Sequence, residues 1–211
     1  DQWLIIRDVW AEEAHAWSIQ ERTIFAWVPT LTPISRQATF AGTIPQFFPD
    51  SWATTGREAS HWQRFWQEKG LHPASIGYLR NLGVKDFEEN KASGNALPEG
   101  EAVLEPELQE LLENQQIQVV GLVLNTVDNI MHGMQLGTAG MHQQVRLWLT
   151  QYRYLTRLVS KLLEESFAVY LTSDHGNVWA RGIGRPSEGV LVDRRGERAR
   201  GYTEAAFLAL A

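Results

Sequence analysis

No cysteine occurs anywhere in the 211 residues. Disulfide bridges, thiolate zinc sites and cysteine nucleophiles are therefore excluded, and the redox compartment is left open. Basic residues are outnumbered, 19 against 25 acidic, for a formal net charge of -6. That balance argues against a broad nucleic-acid-binding face, which requires clustered Lys and Arg. A small phosphorylated ligand stays possible, because a bound metal ion can reverse the local field. No apolar run approaches the roughly 18–20 residues of a membrane-crossing helix. The phosphate loop of nucleotide hydrolases and the dinucleotide fingerprint are also missing.

What is present is a hydrophobic content of 44% in a chain of ordinary single-domain length, enough for one sizeable core. The chain starts with Asp1 and stops within the apolar stretch 205–211, so it is expected to be a piece cut short at both ends. Residues 3–17 place Trp3, Leu4, Ile5, Ile6, Val9, Trp10 and Ala14 at amphipathic-helix spacing. Residues 23–28 (TIFAWV) are β-branched and aromatic without charge, the pattern of a buried strand. The next segment predicts a helix, with Thr32 as cap, Pro33 in the first turn and Gly42 as terminator.

Further on, 58–69 carries Trp62, Phe65 and Trp66 on one helical face, 75–79 suits a short strand, and 104–112 a short helix. The polar, glycine-containing stretch 81–101 reads as a surface excursion or lid. Residues 117–124 (IQVVGLVL) suit a central parallel strand. One long helix is expected over 141–165, another buried strand over 167–171, and a short strand over 190–192. Alternating strands and helices define an α/β domain with a mainly parallel sheet, in which ligands bind beyond the carboxyl ends of the strands. Segments 29–36, 125–133 and 172–176 each follow one of the three best strands.

Those segments hold the residues able to carry chemistry. Asp174 and His175 sit in a turn closed by Gly176, where both can face one ion or two neighbouring ions; a polar loop tip is the plainer alternative. Asp128 and His132 are four apart and share a face if the segment is helical. Carboxylate oxygen and imidazole nitrogen both suit zinc or manganese, though a capped helix start with a half-buried histidine would look the same. Two carboxylates and two imidazoles together form a two-metal set able to clamp the oxygens of a phosphoryl group. Thr32 is the candidate nucleophile, although capping competes for the same oxygen. Free N–H groups at the helix start would favour phosphate there. Ser35 and Arg36 lie in the next turn, Arg36 able to take phosphate bidentately or to form an ordinary salt bridge. His15, His61, His72 and His142 lack matched partners, and Arg181, Arg185, Arg194, Arg195, Arg198 and Arg200 read as a solvated basic face. The nine Trp residues are too scattered for a base-stacking ladder.

In three stretches, 29–42 (PTLTPISRQATFAG), 124–133 (LNTVDNIMHG) and 170–176 (YLTSDHG), the chain resembles the PglZ domain of bacterial phage-defence (BREX) systems. That family is a branch of the alkaline phosphatase superfamily. The resemblance implies a three-layer α/β/α sandwich and two divalent ions, zinc before manganese. Thr32 would be the nucleophile, sharing one ion with Asp174 and His175, while Asp128 and His132 bind the other. The superfamily pattern also has an aspartate ending the first strand and a late histidine. Neither stands within these residues, so both are expected in flanking sequence. The implied activity is phosphoryl transfer or phosphate-ester hydrolysis in a cytoplasmic protein, with other defence proteins and a phosphorylated substrate as partners. An inactive assembly module and a metal-dependent nuclease are the alternatives.

Overall fold

A computed structural model describes residues 2–13, 15, 17–44, 54–83, 103–132, 137–176, 194–195 and 200–201. In chain order the elements are helices α1 (Gln2–Glu12), α2 (Thr32–Ala41) and α3 (Glu58–Glu68), then strand β1 (Ile76–Leu82), helix α4 (Pro106–Glu113) and strand β2 (Val119–Leu124). Helices α5 (Thr126–His132), α6 (Gly137–Leu147) and α7 (Tyr154–Glu164) follow, and then two-residue strands β3 (Arg194–Arg195) and β4 (Arg200–Gly201). The chain forms two compact units. One is Asp1–Arg22 with Ala59–Thr172, here the core unit; the other is Thr23–Glu58 with Ser173–Ala211, the site unit. Among the described residues no helix is long and apolar enough to cross a membrane.

In the core unit β1 and β2 run parallel, Ile76 opposite Val119 and Leu82 opposite Leu124. Parallel neighbours cannot be joined by a hairpin, so a crossover carrying α4 connects them. Leu111 of α4 comes so close to β1 that a Cβ on Gly77 would sit 2.9 Å from its methyl groups. The Gly77 carbonyl accepts the indole N–H of Trp62 at 2.9 Å. The pairing shifts between Arg80 and Leu82, where Asn81 has a φ of 61°, a left-handed conformation in which Asn is enriched. The Asn125 amide then donates to the Asn81 side chain at 2.7 Å, and the Thr126 hydroxyl donates to the Gly83 carbonyl at 3.1 Å. These bonds tie the carboxyl ends of both strands together where α5 begins.

The core is built from Ile6, Val9 and Trp10 of α1, Leu108 and Leu112 of α4, Ile130 of α5 and the apolar stripe of α6 and α7. Trp10 stacks edge-to-face on Trp3 and Trp17, and its N–H donates to the Thr156 hydroxyl at 2.9 Å, which meets the polar end of a buried indole.

The one long helix expected over 141–165 is broken. A π-helical turn spans Trp148–Tyr152, and Arg153 adopts φ 55°, ψ 16° before α7 begins. The widened turn buries Trp148, Leu149 and Tyr152 together, and Tyr152 and Tyr154 stack at 6.4 Å. Packing on both sides of the break outweighs the cost of a left-handed arginine.

Strand expectations divide. The one for 75–79 is met by β1 and the one for 117–124 by β2. Segments 23–28 and 167–171 enter no ladder among the described residues. Ile24, Phe25 and Val28 are 81%, 103% and 80% exposed. Segment 167–171 alternates, Phe167 and Val169 packing on the core while Tyr170 stays exposed. An uncharged apolar run specifies a strand only where a neighbour meets its backbone groups. Of the expected excursion 81–101, Asn81 and Leu82 end β1 and Gly83 turns; the rest, like the expected strand 190–192, lies outside the described residues.

Candidate functional site

The site unit begins its chemistry at α2. Leu31 is the N-cap, extended at φ -101° and ψ 128°, and contributes no side-chain capping bond. Thr32 is therefore the first helical residue and not the cap expected from sequence, so its hydroxyl is released from the competition between capping and chemistry. Gly42 closes the helix in the left-handed conformation, φ 60°, and its N–H bonds the Ala38 carbonyl at 3.0 Å, as expected of a terminator.

The released hydroxyl finds a partner 143 residues away: Thr32 Oγ1 lies 3.1 Å from His175 Nε2. His175 sits with Asp174 in the bend that follows the 167–171 segment, its side chain 8% exposed. Its other ring nitrogen, Nδ1, is 3.0 Å from the Gly176 carbonyl. A carbonyl only accepts, so Nδ1 carries a hydrogen and Nε2 is the nitrogen presented to Thr32. Asp174 Oδ2 stands 3.4 Å from the same Nε2. Two electron-rich atoms at that distance are reconciled by a proton on Nε2 or by a cation that both face.

The donor set fits such a cation. An imidazole whose far nitrogen is pinned to a carbonyl is the arrangement usual for histidine ligands, and a carboxylate and hydroxyl beside it are hard oxygen donors. The three atoms are of kinds that could hold one divalent ion. Among the described residues no three His, Asp or Glu side chains gather on one point, so the cluster consists of two such groups and the threonine oxygen.

Asp128 and His132 belong to the core unit. The segment is helical as expected, with Asp128 exposed in the first turn of α5 and His132 its last residue, so the two are one turn apart. The next turn of α2 is buried. Ser35 is 3% exposed, and its Oγ makes no hydrogen bond among the described residues. Arg36 Nη2 donates to Glu58 Oε2 at 2.7 Å, a pair in which the arginine side chain is 17% and the glutamate 1% exposed. The expected crown of free N–H groups is largely missing. Pro33 has none, and those of Ile34 and Ser35 donate to the Leu31 carbonyl at 3.0 and 2.9 Å.

Glu58 is the member of this neighbourhood that sequence reasoning missed. It stands 22 residues from Arg36 across a loop, and an acidic residue opening a helix carries no mark of its partner. Two other histidines have local duties: His15 stacks on Trp17 at 4.2 Å and meets Glu13, and His72 Nδ1 accepts the Ala74 N–H at 3.2 Å. A recess of about 200 Å³ lined by Trp10, His15 and Trp17 contains none of the site residues.

A helix-start hydroxyl met by an imidazole that a carboxylate also faces, in a chain that builds a parallel βαβ unit, is in keeping with the alkaline phosphatase-like class. The comparison with known families carries this to a particular one. The family described as the BREX system PglZ alkaline phosphatase-like domain matches residues 1–208, and the chain belongs to it. No curated protein and no solved structure matches the chain.

Proposed function

We propose that this PglZ domain is a divalent-metal-dependent phosphoryl-transfer or phosphate-ester-hydrolysing domain of a phage-defence protein. Thr32 is its nucleophile, and Ser35 and Arg36 are its substrate-binding residues. Asp174 and His175 hold one ion together with Thr32, and Asp128 and His132 hold a second, zinc before manganese. The fold of the whole domain is then a three-layer α/β/α sandwich. Other proteins of the BREX system are its partners, and the substrate is a phosphorylated molecule. The observation that carries the reading is the 3.1 Å approach of Thr32 Oγ1 to His175 Nε2, with Asp174 beside it.

The roles follow from the chemistry of each group. Bound divalent ions would supply the positive charge that makes a threonine hydroxyl a competent nucleophile and balances charge on the transferring group. Thr32 Oγ forms a bond to phosphorus as the bond to the leaving oxygen breaks, and water then cleaves the Oγ–phosphorus bond and restores the hydroxyl. The Gly176 carbonyl fixes the tautomer and tilt of His175, and Asp174 supplies negative charge at the same point.

A calorimetric zinc titration of the chain against its Asp174→Ala variant tests the site. Tight binding in the parent and a loss on the order of tenfold or more in the variant is the expected result. Equal binding in both would remove Asp174 from the metal site.

A second reading is favoured by one observation, the exposure of Ile24, Phe25 and Val28 in the site unit. Apolar residues left open in this way suit a surface that meets another protein, so the domain would contribute assembly to the defence complex. Defence that survives Thr32→Ala but fails when Phe25 is made polar would favour assembly over turnover.

A further inference from the structure

We propose that the recess between α1 and the segment returning to it is a binding site for a small, uncharged, planar heterocycle bearing carbonyl groups, the chemistry of a pyrimidine base. Its residues all lie within Asp1–Arg22 of the core unit, so the inference goes beyond the Thr32 site and does not depend on it.

Arg7, Trp10 and Ala11 are three and four residues apart and so share one face of α1. His15, Trp17 and Ile19 complete the lining of a space of about 200 Å³. Ala11 contributes only a methyl group, which leaves the space open. Sites for drug-sized ligands run to ~300–1,000 Å³, so this one suits a single small ring system and not a whole nucleotide. The wall is itself made of rings. His15 stacks on Trp17 at 4.2 Å with 8° between the planes, and Trp17 meets Trp10 edge-to-face at 5.2 Å. Another ring packs well on such a surface.

The polar groups narrow the class. The Trp10 N–H is already bound to the Thr156 hydroxyl at 2.9 Å, whereas the Trp17 N–H has no acceptor among the described residues. Arg7 Nε and Nη2 donate to Asp8 Oδ1 at 3.3 and 3.2 Å, but Nη1 stands 3.7 Å from Glu21 Oε1, beyond hydrogen-bond range. His15 Nε2 meets the Glu13 carboxylate at 2.6 Å, so Nδ1 is the nitrogen left to a ligand. Two N–H donors in want of acceptors call for carbonyl oxygens. Charge decides the rest. Asp8 and Glu21 stand beside Arg7, and Glu13 beside His15, so an anion would meet as much repulsion as attraction and a cation would meet the guanidinium.

The test is titration of the full chain with thymine, followed by NMR through the indole N–H signals, the Trp17 signal being the one lost in Trp17→Phe. Thymine is expected to move that signal. Ala11→Leu fills the recess from an exposed position with a good helix former, and should weaken thymine binding by on the order of tenfold or more with the melting curve unchanged. Trp17→Phe keeps a ring and removes the donor; it carries the test if Ala11→Leu does not fold, with a loss on the order of tenfold expected in ligand-observed NMR. A Trp17 signal that stays in place up to the solubility limit of thymine overturns the proposal, as does undiminished binding in either folded variant. Thymidine and a short oligothymidylate titrated in parallel separate the sources: tighter binding of the nucleoside points to a free molecule, and tighter binding of the strand to a base presented by a nucleic acid.

Discussion

The two compact units bury different chemistry. Every member of the hydrophobic core, from Ile6 to Leu162, belongs to the core unit. In the site unit the buried described residues are Ile34, Ala41, Ser35, Gln37 and Glu58, the last three polar. One unit is held by apolar area, which is non-directional and tolerates variation in detail. The other is held by hydrogen bonds and an ion pair, which are directional and fix the angles of the groups that use them. Stability and chemistry are therefore expected to fail separately.

The sharpest test is Thr32→Ala. Hydrolysis of a chromogenic phosphate ester by the metal-loaded protein is expected to fall by about 10⁴-fold or more, as for loss of a nucleophile, while the melting temperature stays near that of the parent. Retained turnover would place the nucleophile elsewhere. Trp148→Ala should do the reverse. Its indole is 1% exposed in the widened turn before α7, and truncation is expected to cost about 3–5 kcal/mol in denaturant unfolding. Zinc affinity of the protein that remains folded should hold, and a parallel loss of zinc binding would break the separation.

Gly83→Ala is expected to be milder. Gly83 sits at φ +70° at the end of β1, and an added Cβ would lie 3.0 Å from the Tyr154 ring, so a cost of about 1–3 kcal/mol should appear in the same unfolding measurement. An unchanged midpoint would mean that the turn relaxes freely. The smallest effect is expected on the surface of α7. The Glu165 carboxylate, 2.6 Å from Lys161 Nζ, raises the lysine above its ordinary range through a hydrogen bond. Glu165→Gln should return the lysine toward that range in an NMR titration without moving the melting curve. A shift in both would give the pair a structural weight that an exposed contact does not have.

Much of this was legible before any coordinates. Pro33 and Gly42 bracket α2 because one pre-sets the helical φ and the other adopts the left-handed closing turn. The run 117–124 reads as a parallel strand because both its faces are apolar, and β2 pairs that way. The stretches around Thr32, Asp128 and Asp174 pointed to the family that matches the chain. Other features were hidden. Nothing between Leu147 and Tyr154 is a Gly or Pro, so the helical period runs through the break at Arg153 uninterrupted. Thr32 satisfies every local rule for a cap, yet Leu31 occupies that position.

Residue type, period and turn chemistry act over a few neighbours, and over that range the sequence by itself determined where α2, α3 and α4 lie and which segments carry groups able to ligate a metal. Contacts between distant residues are another matter. That Thr32 meets His175, that Arg36 leans on Glu58, and that the helix opens at Trp148 to bury three aromatic and aliphatic side chains were decided only by the tertiary structure. A directional bond forms where two backbones deliver both partners within about 3 Å, and that delivery is a property of the packed chain and not of either segment alone.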